Sequence, residues 1–177
     1  MQQTIVKTLE KLNQILPYMI EKLQNNDIEV SKKIRLVFQL SYKIEAKLLN
    51  ATDFPPLKRS IENFVNSSTA FFGYLKAGEI AGVIEISHNS NFTHINSLVV
   101  APFFFRQGIA RKLMEFVFNT YDSNLFVVET GLDNGPATAL YKKFNFKEVK
   151  QWDTDHGIRK IKFECRKNNE AQHLINL

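Results

Sequence analysis

Apolar residues recur at steps of three and four along the first fifty residues, which is the spacing of one helical face. Over residues 4–23 the series is Ile5, Leu9, Leu12, Leu16, Met19 and Leu23. Pro17 must kink or divide this helix, because it cannot donate a hydrogen bond to the carbonyl of Asn13. After a turn and helix cap at residues 25–27, a second series is Val30, Ile34, Val37, Ser41, Ile44 and Leu48. The pattern predicts an amino-terminal helical hairpin over residues 1–50, although parts of the second segment would also suit a strand.

The periodicity changes after Pro55 and Pro56, which interrupt the helical pattern. The chain then predicts a short helix at 57–65 and an antiparallel meander of three strands at 70–76, 80–87 and 93–101. The remaining predicted elements are a helix at 108–121, a strand at 125–129, a helix at 135–144 and a hairpin of strands at 146–152 and 158–166. This order predicts an α/β (α+β) fold, in which helices flank a mixed, mostly antiparallel central sheet.

Length and composition fit one globular domain over residues 1–177, with a core at 55–166: 44% of the 177 residues are hydrophobic and 23% are charged. No apolar run approaches the roughly 20 residues that span a bilayer, and the start lacks a signal-peptide pattern. We therefore expect a cytoplasmic protein without a membrane partner. The single cysteine, Cys165, alternates with charged residues, which is typical of a packed strand position.

The formal net charge of +5 comes from basic residues that are spread along the chain. A nucleic-acid-binding protein normally concentrates such residues in a patch, so no nucleic-acid partner is expected. A small polyanion explains the excess with fewer assumptions. The sequence also lacks a metal-ligand cluster, a phosphate-binding loop with lysine and a Ser-His-Asp signature, so we expect no metal.

An apolar strand ending in Ala101-Pro102 leads directly into a helix that opens with residues 106–111, Arg-Gln-Gly-Ile-Ala-Arg. Unpaired amides at a helix start bind anions, and Gly108 and Ala110 are small enough for a phosphate to reach the backbone. Arg106 and Arg111 can add charge-assisted hydrogen bonds. An ordinary helix start packed near a sheet is the alternative interpretation.

Two blocks of the chain resemble the GNAT superfamily of acyl-CoA-dependent N-acetyltransferases. Residues 105–110 resemble the superfamily's pyrophosphate motif, Q/R-x-x-G-x-G/A, with Phe105 where Gln or Arg is usual. Residues 134–146 resemble its N-x-x-A-x-x-x-Y-x-x-x-G-F segment. Asn145 replaces glycine there, and asparagine tolerates the left-handed helix end that this position requires. A departure is the predicted helix at 4–23, because the superfamily commonly begins with a strand.

The resemblance implies that the chain uses acetyl-CoA and that an amide of the strand at Val99 polarises the thioester carbonyl. The residues that it assigns to coenzyme binding are Leu98, Val99, Val100, Arg106, Gln107, Gly108, Ile109, Ala110, Arg111 and Asn134. Tyr141 matches the tyrosine that protonates the leaving thiolate, and a core tyrosine is the alternative. Asn134 is equally well explained as the cap of the helix that follows it.

The general base stays open among His94, Glu85 and Glu129. His94 lies where several superfamily members carry a catalytic glutamate and titrates near neutrality, while a structural histidine is the alternative. Residues 103–105, three phenylalanines, serve as packing or as the wall of a substrate pocket.

The resemblance implies an enzyme that acylates an amine by direct attack. A non-catalytic acyl-CoA-binding module is the alternative that the replacement at Phe105 keeps open. The acceptor, a small-molecule or peptide amine, is not readable from the sequence, because variable loops select it. The amino-terminal hairpin could serve as a partner-binding or dimer-forming appendage, which leaves a homodimer open.

Overall fold

The computed structural model describes residues 19–167. Its strands are β1 (Met19–Leu23), β2 (Ala70–Lys76), β3 (Glu79–His88), β4 (Thr93–Val100), β5 (Leu125–Gly131), β6 (Lys147–Asp153) and β7 (Arg159–Arg166). Its helices are α1 (Ile28–Leu48), α2 (Ile61–Val65), α3 (Ile109–Thr120) and α4 (Gly135–Lys143), with 3-10 turns at Pro55–Lys58 and Pro102–Phe104.

The seven strands form one sheet in the order β1-β2-β3-β4-β5-β7-β6. Neighbouring strands of the sheet run antiparallel, except that β4 and β5 are parallel. The predicted fold class, a mixed and mostly antiparallel sheet flanked by helices, is therefore confirmed. Within residues 19–167, no helix is both long and apolar enough to cross a membrane.

The first predicted helix is wrong at its carboxyl end, because residues Met19–Leu23 form the edge strand β1. Pairing with β2 overrides the helical spacing: Ile20 lies opposite Tyr74, and the buried Leu23 lies opposite Phe71. Ile20 packs partly buried against one core of the sheet, and Leu23 is buried in the other. The rest of the predicted helix, residues 4–18, lies outside the described residues.

The second predicted helix is confirmed as α1, and Asp27 caps it by accepting hydrogen bonds from two first-turn amides. Its inward face differs from the predicted one towards the carboxyl end. Ile44 is 36% exposed and Leu48 is 49% exposed. Tyr42 and Glu45 instead line cavities against the sheet. The inward face therefore runs from Phe38 to Tyr42, four residues later, and then to Glu45, three residues further.

Each face of the sheet carries a core rich in phenylalanine. One core packs α3 and α4 on the sheet and includes the fully buried Phe126 and Phe163. The other packs α1 and α2 on the opposite face and includes Phe38, Phe64 and Phe71. Cys165 lies in the first core as a buried free thiol, which confirms the packed strand position.

The predicted helix at 57–65 is divided into the turn Pro55–Lys58 and the helix α2. The division falls at Ser60, which caps α2 in a reciprocal capping box with Asn63. The end of α4 has the predicted left-handed residue, with φ of 61° at Asn145. There the Phe146 amide donates to the Tyr141 carbonyl at 3.1 Å, which closes the helix end.

Candidate active site

The amino terminus of α3 presents backbone amides that no side chain caps. Gly108 is the cap residue, and its φ of 77° lies in the left-handed region that favours glycine. A Cβ placed at Gly108 would meet nothing within 4 Å, so open space lies in front of the helix. The helix is held close to the sheet, since a Cβ at Gly82 would approach Ile109 Cγ2 to 2.9 Å. This geometry fits an anion such as a diphosphate.

The side chains predicted to assist this site are largely exposed, and some have partners. The Gln107 side chain accepts a hydrogen bond from Lys76 Nζ at 2.8 Å. Arg111 donates from Nε to Glu115 at 2.7 Å, and its side chain is 74% exposed. Arg106 has a φ of 63°, which places it in the tight turn just before Gly108. The backbone, more than these side chains, is arranged for an anion.

The parallel strands β4 and β5 separate in front of α3. Their pairing ends at Ile95 opposite Val128, and a bulge interrupts the β3–β4 register at the next residue, Asn96. A bulge bends its strand and increases its twist, which accounts for the separation. From Ser97 to Val100, β4 is paired with β3, and within residues 19–167 no strand pairs with its other edge, which is called the open edge below. Leu98 and Val100 pack towards the α3 core, whereas Val99 is buried in the α1 core.

A small cavity of about 50 Å³ lies in the gap between β4 and β5. Its walls include Tyr141 and Asn134 from the α4 side, Leu98 from β4, and Tyr42 and Glu45 from α1. Tyr141 is 5% exposed. Burial raises the pKa of its hydroxyl, and the nearby Glu45 and Tyr42 raise it further. Tyr141 is therefore protonated throughout the physiological range.

A larger cavity of about 580 Å³ adjoins the small one. Five residues line both cavities and form their junction: Tyr42, Glu45, Asn96, Glu129 and Thr130. Around it, the outer walls come from α1, the Phe54–Pro56 segment and the β6–β7 hairpin from Trp152 to Lys160. Its volume is within the roughly 300–1,000 Å³ of small-molecule pockets.

Residues 45–167 match the family described as Acetyltransferase (GNAT) domain. The chain belongs to the GNAT acetyltransferase family. The resemblance seen in the two sequence blocks is thereby confirmed.

Two curated relatives match parts of this GNAT chain. The UPF0157 protein YqkA of Bacillus subtilis is 31% identical over 141 residues, which are 79% of this chain and 41% of that protein. An N-alpha-acetyltransferase of Saccharolobus solfataricus is 39% identical over 61 residues, which are 32% of this chain and 36% of that protein. The chain spans about two fifths of the length of these relatives.

Solved structures share the fold. The ribosomal-protein-S18-alanine N-acetyltransferase of Escherichia coli superposes with a TM-score of 0.67 at 19% identity, over 85% of this chain and 94% of that one. The PaiA N-acetyltransferase of Thermoplasma acidophilum, solved in complex with coenzyme A, has a TM-score of 0.67 at 18% identity. That alignment covers 86% of this chain and 100% of PaiA. At such identities the likeness shows the GNAT fold alone.

Glu45 is a candidate residue that the sequence interpretation missed. It lies on α1 at the junction of the two cavities. Burial raises the pKa of its carboxyl, while a hydrogen bond from the Asn134 side chain and the charge of Lys160 oppose the rise. A carboxylate on the inward face of a helix, three residues after Tyr42, was the signal available in the sequence. The incorrect choice of Ile44 and Leu48 as inward residues concealed it.

Glu85, one of three residues considered as the base, is held in a buried ion pair. Its side chain is 5% exposed, and both carboxylate oxygens accept from Arg59, at 2.8 and 2.9 Å. Thr69 Oγ1 and Ser97 Oγ donate to the same carboxylate at 2.7 and 3.1 Å. The Tyr42 hydroxyl in turn donates to Ser97 Oγ at 3.1 Å. Glu85 thus touches the site only through a chain of hydrogen bonds.

The other two candidates occupy different positions relative to the cavities. His94 lies where β4 is still paired with β5, opposite Val127, and lines neither cavity. Burial lowers the pKa of its imidazole, although Glu129 nearby acts in the opposite direction. Glu129 lines both cavities, and Lys160 Nζ lies 3.6 Å from its Oε2. Of the candidates from sequence, Glu129 alone lies at the junction.

Asn134 both caps a helix and contacts a residue of the candidate site. Its Oδ1 accepts from the Ala137 amide at 3.2 Å and so caps α4, while its side chain also hydrogen-bonds Glu45.

The phenylalanines at residues 103–105 differ in burial: Phe103 is 86% exposed, whereas Phe104 packs against both cores. Among residues 19–167, no group of three or more His, Cys, Asp and Glu side chains could hold a metal ion.

Proposed function

We propose that this GNAT chain transfers an acetyl group from acetyl-CoA to a small amine by direct attack, without a covalent enzyme intermediate. The observation that carries the proposal is the small cavity that Tyr141 lines where β4 and β5 part, on a strand that leads through the Pro102–Phe104 turn to the uncapped amides of α3. Acetyl-CoA supplies an activated acyl thioester and a diphosphate that suits such amides. The larger cavity, which adjoins the small one, supplies room for the acceptor.

The chain's own groups account for binding of the donor. The amides of Ile109, Ala110 and Arg111 lie in the uncapped first turn of α3 and donate hydrogen bonds to the diphosphate oxygens, and the helix dipole strengthens this binding. The open edge of β4 between Ser97 and Val100 offers backbone groups to the amides of an extended pantetheine arm.

The Ala101 amide donates to Ala81 in the β3 direction, so the Val99 amide two residues before it also faces β3. An amide of the open edge, at Leu98 or Val100, therefore stabilises the oxygen on which negative charge develops during attack.

Tyr141 acts in this proposal as the general acid. When the amine nitrogen bonds to the carbonyl carbon, the carbon–sulfur bond breaks and the sulfur leaves with the electron pair. The buried Tyr141 hydroxyl holds its proton at neutral pH and donates it to that sulfur. The acylated nitrogen releases its surplus proton to solvent, and Tyr141 takes up a proton from solvent to restore its hydroxyl.

Glu45 acts as the general base. An acceptor ammonium with a pKa of about 10.4 must lose a proton before its nitrogen can attack. Glu45 lies between the acceptor cavity and Tyr141, and its burial raises the pKa of the carboxyl towards the range in which a base works best. Glu129 is the second carboxylate at the junction, held by Lys160.

The test is thiol release from acetyl-CoA with a panel of amines, alongside calorimetry of coenzyme A binding. Tyr141→Phe is expected to lower kcat by about 10- to 1,000-fold while coenzyme binding stays near wild type. Wild-type turnover in that variant would remove Tyr141 as the acid. Coenzyme binding without thiol release for any amine would favour the non-catalytic binding module instead.

A further inference from the structure

We infer that the acceptor is a small amine that carries a second positive charge. The inference rests on the proposed function and concerns the 580 Å³ cavity next to the thioester site. It follows from the charge and the aromatic walls of that cavity.

The cavity is acidic in a chain whose formal net charge is +5. The four carboxylates that line it are Glu45, Glu129, Asp153 and Asp155. Two basic side chains balance part of this charge: Lys160 from within the lining, and Arg159, whose Nη1 lies 3.0 Å from Asp153 Oδ1. Four carboxylates against two basic groups leave two negative charges in excess when His156 is neutral.

The excess charge is spread along the cavity. Glu45 lies at the inner end, where the proposed chemistry takes the proton of the reacting amine. Asp155 lies at the outer end in the β6–β7 turn, and within residues 19–167 it forms no ion pair shorter than 4 Å. A molecule with a single amine satisfies the inner carboxylate alone. One with a second ammonium group also satisfies the outer part of the cavity.

The aromatic walls favour cations as well. Tyr42, Phe54 and Trp152 line the cavity, and aromatic faces attract ammonium groups. The Lys160 ammonium already lies 5.9 Å from the centre of the Trp152 ring. The Trp152 ring is therefore already within cation–π distance of one ammonium group at this wall.

Trp152 also makes the inference testable without turnover, because it is the one tryptophan in the sequence and lines the cavity. We would titrate the protein, with and without coenzyme A, with 1,5-diaminopentane and with hexylamine while recording Trp152 fluorescence. The two amines differ in replacing one ammonium by a methyl group. The diamine is expected to bind about tenfold more tightly, the scale of one charged hydrogen bond.

Three variants are expected to change the affinity for the diamine, two by weakening it and one by strengthening it. Asp155→Asn is expected to weaken diamine binding about threefold and leave hexylamine binding nearly unchanged, whereas Glu129→Gln, at the junction where the reacting amine binds, is expected to weaken both amines. Lys160→Gln is expected to tighten diamine binding. Asp122→Asn, which removes an exposed carboxylate outside both cavities, is the matched control and should change neither amine.

The outcomes separate this inference from the proposed function. Equal affinities for the two amines, or no fluorescence response to either, would overturn the inference. If hexylamine is acetylated as efficiently as the diamine, the inference is wrong while the acetyltransferase proposal stands. Preferential diamine binding without thiol release from acetyl-CoA would support a dication site and contradict the acetyltransferase proposal.

Discussion

The proposed coenzyme half and the proposed acceptor half of the site are built in different ways. The first consists of backbone: the amides of α3, the cap at Gly108 and the open edge of β4. The second consists of side chains from α1, β5 and the β6–β7 hairpin. Backbone recognition needs small residues at fixed spacing within one segment, whereas the acceptor cavity assembles residues from 42 to 160. A family sequence pattern therefore identifies the donor site but does not identify the acceptor.

The largest effect is expected for a side chain at the boundary of the two halves. Glu45→Gln should lower kcat about 100-fold by removing the base, with coenzyme A binding unchanged in calorimetry. In the wild type, kcat/KM should rise with pH through the raised pKa of Glu45, because only the carboxylate accepts the proton. The variant should lack this rise. Glu129→Gln is the control and should retain it; a retained rise in Glu45→Gln would exclude Glu45 as the base.

The same variant should separate activity from stability. Because burial raises the pKa of Glu45, the folded chain binds that proton more tightly than the unfolded chain. The free energy of unfolding therefore falls as the pH rises from the ordinary carboxyl pKa of about 4.3 to the raised value. Relative to the wild type, Glu45→Gln should be more stable at pH 8 than at pH 4 in urea unfolding. An equal difference at both pH values would contradict the buried carboxylate.

A smaller effect, confined to the coenzyme half, is expected for Gly108→Glu. A side chain at φ of 77° is strained, and its negative charge would fill the space in front of α3. Coenzyme A should bind about 30-fold more weakly in calorimetry, on the scale of losing a charged hydrogen bond. Gly157→Glu is the matched control: φ is 73° and its Cβ is equally unobstructed, but it lies in the β6–β7 turn. Equal losses in both variants would argue against a diphosphate at α3.

Asn134 links the halves, and its effect should be smaller again. Asn134→Ala removes the cap of α4, at a cost of about 1 kcal/mol in the free energy of unfolding. It also removes the hydrogen bond that holds down the pKa of Glu45, so the rise of kcat/KM should move to higher pH. Ser60→Ala, which removes the cap of α2, should cost similar stability and leave the pH profile in place. If the pH dependence of kcat/KM in Asn134→Ala matches that of the wild type, Asn134 serves as a helix cap and does not influence Glu45.

The same division explains what the sequence could predict. The start of α3 and the left-handed Asn145 were predictable because local chemistry dictates them: Gly108 tolerates the left-handed cap, and asparagine tolerates a helix end. Strand β1 was not, because its conformation comes from pairing with β2, fifty residues away. Glu45 was missed because the helical spacing allowed a second, exposed row through Ile44 and Leu48. The acceptor cavity depends on strand order, which no local pattern encodes.

The smallest effect is expected for Arg111, and it sharpens the claim that backbone dominates the coenzyme half. The Arg111 guanidinium donates to Glu115 one helical turn away, and its side chain is 74% exposed. An exposed charge in solvent contributes little, so Arg111→Ala should weaken coenzyme A binding by less than about threefold in calorimetry. Glu115→Gln should strengthen binding slightly, since it releases the guanidinium towards the phosphates. A loss above tenfold in Arg111→Ala would mean that the side chain leaves Glu115 for the coenzyme, and that half would then depend on side chains as the acceptor half does.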